Sequence, residues 1–358
     1  MSSREALIRD SFLEQAALCE DFGSAFTARL IRALEGVIDR STDTGREALD
    51  WPGPPEAKGD ALALRLCGGL HALVLGGSAP ELADIYPPNE IATEAAFRSA
   101  LNAAITAHDS ELRKWLRLPP QTNEVGRSAV LYLGLMEIAA MFGQPMRLFE
   151  IGSSAGLNLV LDKYRYKFGD ACYGPAESPL ELVPDWSGPT PAAVPVTVAE
   201  RQGCDLSPVN LADAEDRLRL QAYVWPDQAE RHRRLSAAIA IAGEARLSIE
   251  AMDAGAWVAR HVDIDGPAGQ TTVLMHSLTY CYLPPDTQAA IKAHMDQLGT
   301  KADSNRPLAW LSFELNDRNQ PELVLQTWPG GTKRLLARAH PHGRWVESLV
   351  DDTVMMSG

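Results

Sequence analysis

The stretch RLFEIGSSAGLNL at residues 147–159 decides the fold of this chain. Its apolar beginning, LFEI at 148–151, predicts a short buried strand, and the glycines at 152 and 156 predict a turn. The apolar run at 157–161 then predicts the opening of a helix. A strand, a glycine turn and a helix in this order form a cradle in which backbone N–H groups can approach a ligand closely.

The turn matches two different motifs. Gly152-x-Ser154-x-Gly156 fits G-x-S-x-G, the turn in which serine hydrolases carry their nucleophile. Counted from Glu150, the same residues resemble E-x-G-x-[GS]-x-G, the first motif of S-adenosylmethionine-dependent methyltransferases, with Ser154 at the usual middle glycine. A turn without any ligand is the third interpretation, because short glycine motifs recur by chance. The rest of the chain has to decide among them.

The composition limits the classes of function. The chain has 358 residues, of which 46% are hydrophobic and 22% charged, so it can bury a full core in one large domain or two. Its formal net charge of −14 disfavours a broad phosphate-binding face, and we expect no nucleic-acid partner. The five cysteines are scattered, with no C-x-x-C pair and no histidine at zinc spacing. This pattern favours a reducing cytoplasm and predicts no metal site.

Two segments bear on targeting and membranes. The N-terminus, MSSREALIRDSFLEQ, lacks the apolar stretch of a signal peptide. The most apolar window, residues 61–77, contains Arg65, His71 and four glycines. We therefore expect a buried helix there and no membrane span, and we expect a cytoplasmic protein.

The chain divides into a helical half and an alternating half. Apolar residues recur at helical spacing through most of residues 1–145, which predicts an all-helical N-terminal domain. An α/β domain is predicted for 146–358, with an irregular insertion at about 164–190 that has room for a short hairpin. The alternation there predicts a doubly wound, mostly parallel sheet. The predicted strands after the insertion lie at 195–206, 247–252, 271–275, 308–313 and 322–328, with a closing hairpin at 333–349.

Polar residues follow the predicted strands at their carboxyl ends, where such sheets bind ligands. They are Glu150 with Gly152, Asp205, Asp253, His276 and Glu314. The series resembles class I methyltransferases. GCDLSP at 203–208 resembles their second motif, G-x-D-x-S-P, whose acid accepts both ribose hydroxyls, and MDA at 252–254 resembles the third, G-D-A, whose acid meets the adenine amino group. For each acid the alternative is a helix N-cap or a solvated loop residue.

One spacing departs from that pattern. The second acid usually follows the glycine turn by about 20 residues, whereas Asp205 follows Gly156 by 49. The insertion has to account for the excess. Asp170 fits the shorter spacing but has no clear strand before it, so we prefer Asp205.

At a finer level the chain resembles an uncharacterised bacterial family, the domain of unknown function numbered 2332. The stretches that carry the resemblance are QTNEVGR (121–127), EIGSSAGLNL (150–159), RQGCDLSP (201–208), YVWPDQAER (223–231) and HSLTYCYLP (276–284). The resemblance implies a methyltransferase-like domain behind a helical N-terminal region, and it implies no substrate.

Polar and aromatic residues in these stretches are candidates for the substrate site. They are Asn123, Glu124, Arg127, Trp225 and Tyr280. Each has a structural alternative: Asn123 as a helix cap, Glu124 and Arg127 as a pair on one helix face, Trp225 as the start of a long helix, and Tyr280 as a core residue. His276 follows an apolar strand, so a general base and a buried core histidine are both open.

The sequence therefore predicts a Rossmann-like methyltransferase domain that transfers a methyl group from S-adenosylmethionine to a small molecule, with His276 as general base. The residues expected to hold the cofactor are Glu150, Gly152, Ser154, Gly156, Asp205 and Asp253. Two alternatives stay open. One is a serine hydrolase built on Ser154, and the other is a non-catalytic nucleotide-binding module on the same scaffold. The oligomeric state is left open.

Overall fold

The computed structural model describes residues 2–89, 93–245 and 247–350. The chain forms two compact units. A helical unit comprises Met1–Thr122 and Ala212–Arg233, and a sheet unit comprises Asn123–Leu211 and Arg234–Gly358. The described helices are α1 (Ser3–Asp21), α2 (Ala25–Val37), α3 (Asp43–Leu49), α4 (Leu62–Leu75), α5 (Pro80–Ala83), α6 (Glu94–Ala107), α7 (Asp109–Arg117), α8 (Arg127–Phe142), α9 (Ala214–Ala222), α10 (Ala229–Glu244), α11 (Ala254–His261) and α12 (Pro285–Gly299).

In the helical unit, several helices, α1, α2, α3, α6 and α9 among them, begin at a side-chain cap. Ser24 and Thr93 each accept a hydrogen bond from a backbone N–H in the first turn, which satisfies a donor that the helix itself leaves free. Asp227 also accepts from the N–H of Phe26, at 3.0 Å, and so fixes the start of α2. The apolar faces of α1, α2, α4, α6 and α7 form one core. Between Ser3 and Arg117 the described elements of secondary structure are all helices.

The described strands of the sheet unit are β1 (Met146–Ile151), β2 (Arg165–Phe168), β3 (Ala171–Tyr173), β4 (Glu181–Leu182), β5 (Asp185–Ser187), β6 (Val198–Asp205), β7 (Ser248–Ala251), β8 (Thr271–Ser277), β9 (Leu308–Leu315), β10 (Pro321–Trp328), β11 (Thr332–Ala339) and β12 (Trp345–Ser348). Within the described residues, nine of them form one sheet in the order β5-β12-β11-β10-β9-β8-β1-β6-β7. The pairs among β7, β6, β1, β8 and β9 are parallel, and those among β9, β10, β11 and β12 are antiparallel. The predicted mixed α/β architecture with a mostly parallel sheet is confirmed.

The central strands are covered on both faces. Every residue of β1 and β8 is buried, as expected for parallel strands between two helical layers. On one face Phe149 and Leu274 belong to a core that includes residues of α11 and α12. On the other face α8 packs against the sheet, and its Gly134 lies directly on Leu311 of β9. Because α8 belongs to this layer, the sheet unit begins at Asn123 and not near the predicted boundary at 145.

The insertion after the first strand has its own small sheet. β2 and β3 form an antiparallel hairpin, and β4 pairs with β2 in parallel. Asp170 lies in the exposed turn of this hairpin, so it does not follow a strand of the large sheet. The length of this insertion separates Gly156 from Asp205 along the chain. Among the residues that the structure describes, no helix has the length and apolar character needed to cross a membrane.

The contact between α8 and β9 gives a test of the layer arrangement. A Cβ at Gly134 would lie 3.0 Å from Leu311 Cγ and closer still to its methyl groups, and Leu311 is fully buried. We expect Gly134→Ala to lower the free energy of unfolding by about 1–3 kcal/mol, because the added methyl overpacks the interface. In α10, a Cβ at Gly243 would meet nothing within 4 Å.

Gly243→Ala is therefore the matched control. Replacing a helical glycine by alanine without a clash should raise the free energy of unfolding by up to about 1 kcal/mol. Urea titrations followed by far-UV circular dichroism measure both variants. Equal stability of Gly134→Ala and Gly243→Ala would contradict the packing of α8 on β9.

Candidate functional site

The glycine turn after β1 has three left-handed residues. Gly152, Ser154 and Gly156 have φ angles of +66°, +53° and +74°. A Cβ at Gly152 would lie 2.8 Å from the Cβ of Thr279, and one at Gly156 would lie 2.7 Å from Ile249 Cδ1. Both glycines are therefore needed for backbone conformation and for space, whereas Ser154 adopts a conformation that few non-glycine residues do.

Asp205 holds this turn from the end of the neighbouring strand. Its Oδ2 accepts a hydrogen bond from the N–H of Ser154 at 3.0 Å, and its Oδ1 accepts from the N–H of Ser207 at 2.9 Å. Ser153 N–H donates to the carbonyl of Cys204, also at 3.0 Å. Each carboxylate oxygen keeps a second lone pair for another donor. The structure thus places Asp205 beside the turn, with a structural bond on each oxygen.

The segment after the turn, where the sequence predicts the opening of a helix, is a 3₁₀ helix, Leu157–Lys163. Two tyrosines that follow it in the chain donate to its carbonyls. The hydroxyls of Tyr164 and Tyr166 donate to the carbonyls of Leu157 and Leu161, at 2.7 and 2.5 Å, which supplies partners from outside the helix. Asn123 Oδ1 accepts the first N–H, that of Leu157, at 2.9 Å. The expected open helix N-terminus is therefore absent from this described segment, and Asn123 caps it.

Glu150 lies under the turn on the α8 side of the sheet. The side chain is 1% exposed, and burial raises its pKa well above the ordinary value. A hydrogen bond from Asn158 opposes that increase, and the nearby charge of Asp205 adds to it. Oε2 has no hydrogen-bond partner among the described residues. Glu150 is thus a buried acid whose neutral form is favoured and which keeps one oxygen for a further contact.

The segment that leads into α8 meets the carboxyl ends of β1 and β8. Arg127 donates from Nε to the carbonyl of Pro341 and from Nη1 to that of Ser277, both at 3.0 Å. Its charge acts against the rise in the pKa of Glu150. Glu124 Oε1 accepts from the N–H of Gly126 at 3.1 Å. Arg127 therefore ties two loops together at this edge of the sheet.

Asp253 follows β7, the strand next to β6. Its Oδ1 accepts from the N–H of Ala256 at 3.0 Å, so the carboxylate is the N-cap of α11, and the side chain is exposed. Met252 N–H donates to the carbonyl of Asp205 at 3.0 Å, which holds the two strand ends side by side. Asp253 is thus the N-cap of α11, the structural alternative given above, and its strand end lies beside that of Asp205.

His276, at the end of β8, forms a hydrogen-bonded row with two residues of β9. Trp310 Nε1 donates to His276 Nε2 at 2.9 Å, and His276 Nδ1 lies 2.7 Å from Glu314 Oε1. Because an indole N–H can only donate, Nε2 is the acceptor and the proton of the neutral ring lies on Nδ1, facing Glu314. The ring is 1% exposed and stacks on Tyr280, with 5.0 Å between centroids. Both nitrogens of His276 are therefore engaged.

Glu314 anchors the loop that follows β8. Its Oε1 also accepts from the N–H groups of Thr279 and Tyr280, both at 3.0 Å. Burial pushes the pKa of Glu314 up, but the hydrogen bond from His276 Nδ1–H and those from the two backbone N–H groups outweigh it and lower the pKa to about 2. Thr279 is the residue that lies against Gly152. The ionised Glu314 thus positions the loop beside the glycine turn.

The remaining candidates are held by structural contacts or lie elsewhere. Tyr280 donates its hydroxyl to the carbonyl of Gln288 at 2.7 Å. Trp225 belongs to the helical unit, where the guanidinium of Arg231 lies 5.7 Å from its ring centroid. Sequence reasoning placed Glu314 at a strand end without assigning it a role, and it missed Trp310. Trp310 and Glu314 are four residues apart on β9, so their side chains lie on the same face of the sheet. This spacing was the one feature of the sequence that could have identified them.

Comparison with known proteins identifies the family of this chain but gives no activity for it. The chain matches, over residues 9–348, the model of a family described as "Uncharacterized protein conserved in bacteria (DUF2332)". It belongs to this family. No curated protein and no solved structure matches the chain. The family description names no reaction, so the geometry has to support any functional proposal.

The charge on Glu314 gives a pH test of this site. Its pKa is lowered from 4.5 to about 2 on folding, so ionised Glu314 stabilises the fold above about pH 4.5, and this contribution is lost as the pH falls towards 2. The difference corresponds to about 3 kcal/mol at neutral pH. We expect Glu314→Gln to lower the free energy of unfolding by about that amount at pH 7 and by little near pH 2.

Denaturant titrations of both proteins at several pH values measure this difference. Glu177→Gln, which removes an exposed carboxylate in the insertion, is the control and should change stability little at any pH. A Glu314→Gln effect that is the same at pH 7 and near pH 2 would rule out a charged anchor.

Proposed function

We propose that this protein binds S-adenosylmethionine and transfers its methyl group to a small molecule. The observation that carries the proposal is the position of the glycine turn. If the parallel strands are numbered along the chain, the order β7-β6-β1-β8-β9 becomes 3-2-1-4-5, the order of Rossmann-like sheets. The turn follows β1, where that order reverses, and such sheets bind their ligands in the crevice at this point.

The residues around the turn suit the parts of this cofactor. The spare lone pairs of Asp205 suit the two hydroxyls of a ribose, because a carboxylate accepts two donors at once. Leu206, next in the chain, is 78% exposed and offers an apolar surface for a flat base. Asp253 on the adjacent strand is an acceptor for an exocyclic amino group. The unpartnered Oε2 of Glu150 supports a polar contact beneath the turn.

The left-handed turn brings backbone close to the ligand. Gly152, Ser154 and Gly156 would therefore contact the cofactor mainly through main-chain atoms. An acidic surrounding also suits a sulfonium cation better than it suits the phosphates of a dinucleotide. We include all six predicted cofactor residues in the proposal, with Glu150, Asp205 and Asp253 as the side-chain contacts.

Methyl transfer by direct displacement requires alignment of the acceptor with the methyl carbon, so the protein mainly supplies orientation. His276 was expected to be a general base. Its Nε2 accepts from Trp310, and a base role would need that bond to break. The arrangement supports a positioning role, in which His276 holds Glu314 and thereby the loop of Thr279 against Gly152.

A serine hydrolase built on Ser154 is the second candidate, and two observations weigh against it. Ser154 is 4% exposed, whereas a hydrolase nucleophile is exposed at the top of its sheet. A strand-to-helix turn carries that nucleophile, and here a short 3₁₀ helix follows. No observation in the structure favours this reading over the first.

Asp205 gives the first test. Isothermal calorimetry of the full chain with S-adenosylhomocysteine should show binding, and Asp205→Ala should weaken it about ten-fold or more, through lost bonds to a charged acceptor and a looser turn. Asp170→Ala, in the exposed turn of the insertion hairpin, is the matched control and should bind as wild type does. Wild-type protein that gives no heat would reject the proposal. Weaker binding by Asp170→Ala alone would show that Asp170, and not Asp205, is the acid that contacts the cofactor.

Ser154 separates the two candidate functions. Ser154→Ala removes only a hydroxyl, so affinity for S-adenosylhomocysteine should change less than about three-fold if the main chain makes the contact. Wild-type protein should also resist labelling by a fluorophosphonate probe, which reacts with activated serines. Stoichiometric labelling of wild type that is lost in Ser154→Ala would establish the hydrolase instead.

A further inference from the structure

A cleft of about 410 Å³ lies on the sheet unit beside α12. Along β10, from Pro321 to Thr327, buried residues alternate with half-buried ones. The buried set faces α8, and the half-buried set, Glu322, Val324 and Gln326, lines the cleft. The cleft shares His276, Tyr280 and Glu314 with the contacts that hold the loop beside the glycine turn, but the function proposed above places no ligand in it.

The register of the strands arranges the lining in rows across the sheet. Gln326 is paired with Trp310 of β9 on one side and with Lys333 of β11 on the other. In the next row Ser312 is paired with Val324, and in the third Glu314 is paired with Glu322. The first and third rows are four residues apart along the strands, which corresponds to about 13 Å.

One end of the cleft is basic. Lys333 lies in the first row, and Lys292 of α12 also lines the cleft and pairs with Asp296 at 2.5 Å. In the part of the chain that the structure describes, Lys333 has no ion pair. The amide of Gln326 beside it adds a neutral hydrogen-bonding group. This end suits a carboxylate or another small anionic group.

The opposite end is acidic. Glu314 and Glu322 lie in the third row, and Asp317 lies in the turn beyond it. Glu322 is 3.5 Å from the guanidinium of Arg338, whereas Asp317 has no ion pair within the described residues. This end suits a cationic group such as an ammonium.

The first and middle rows also carry apolar surface. The indole of Trp310 in the first row meets the ring of Tyr280 edge to face, with 5.8 Å between their centroids and 68° between their planes, and Val324 and Ser312 in the middle row also line the cleft. Because Trp310 Nε1 already donates to His276, the indole offers a ligand apolar ring surface and no free N–H. An apolar ligand segment would pack here.

We propose that this cleft binds a small dipolar molecule, with an anionic group held by Lys333 and Gln326, an apolar middle on Trp310 and Val324, and a cationic group at Asp317. A purely anionic ligand would leave the acidic end desolvated without a partner, and a purely cationic ligand would do the same to the basic end. A ligand with one charge of each sign would place its anion at the basic end and its cation at the acidic end, so the charges of the cleft determine the orientation of the ligand.

Three probes that share one ring test this proposal on the full-length protein. They are 4-(aminomethyl)benzoate, which has both charges, 4-methylbenzoate, which has only the anion, and 4-methylbenzylamine, which has only the cation. Calorimetry or ligand-observed NMR, without any S-adenosyl compound present, should show the dipolar probe binding about ten-fold or more tightly than either analogue. No binding of any probe, or equal binding by all three, would overturn the proposal. Its outcome does not depend on methyl transfer.

Matched variants locate the site. Lys333→Gln and Asp317→Asn change exposed residues outside the core, and each should weaken the dipolar probe about ten-fold while leaving the melting temperature unchanged. Lys167→Gln makes the same charge change on the small sheet and should leave affinity as in wild type. Binding that survives both cleft substitutions would show that the probe binds elsewhere.

Discussion

The carboxylate of Asp205 joins the two chain segments on which the proposed site depends. One oxygen holds the N–H of Ser154, in a turn with three left-handed residues, and the other holds the loop after its own strand. A turn of this conformation stores strain at a non-glycine residue, so it persists only if its surroundings fix it. The hydrogen bonds from Ser153 to Cys204 and from Leu157 to Asn123 complete that constraint. These bonds use the N–H groups of Ser153, Ser154 and Leu157 within the protein, so a ligand at this turn would meet a fixed backbone and the remaining lone pairs of Asp205.

Two glutamates at the carboxyl edge of the sheet show how surroundings decide charge. Glu150 is fully buried, and this burial raises its pKa. The nearby carboxylate of Asp205 adds to the increase, and a single hydrogen bond from Asn158 opposes it. Glu314 is also largely buried, yet His276 and the N–H groups of Thr279 and Tyr280 stabilise its anion and lower its pKa. The same residue type therefore has a raised pKa beneath the turn and a lowered pKa where it anchors the loop beside it. Removing either from its partners would change the electrostatics of the whole edge.

Short apolar runs that alternate with segments of helical periodicity predicted most strands of the sheet unit. Strands β6 to β12 lie within a few residues of their predicted positions, and Asp205 and Asp253 end adjacent strands, because local pattern determines these features. Contacts between residues that are distant in the sequence could not be predicted. The hydroxyls of Tyr164 and Tyr166 donate to carbonyls of the 3₁₀ helix, which local pattern does not reveal. The row of Trp310, His276 and Glu314 depends on the pairing of β8 with β9. The inclusion of residues 212–233 in the helical unit is likewise a tertiary property.

Hydrogen–deuterium exchange with and without saturating S-adenosylhomocysteine tests the central claim most directly, because it reports where the backbone is protected. We expect slower exchange in peptides that cover residues 150–159 and 203–209, the two segments joined by Asp205, and no change at 164–187 in the insertion. Unchanged exchange in both joined segments, or protection confined to other parts of the chain, would contradict the assignment of the turn as the cofactor site.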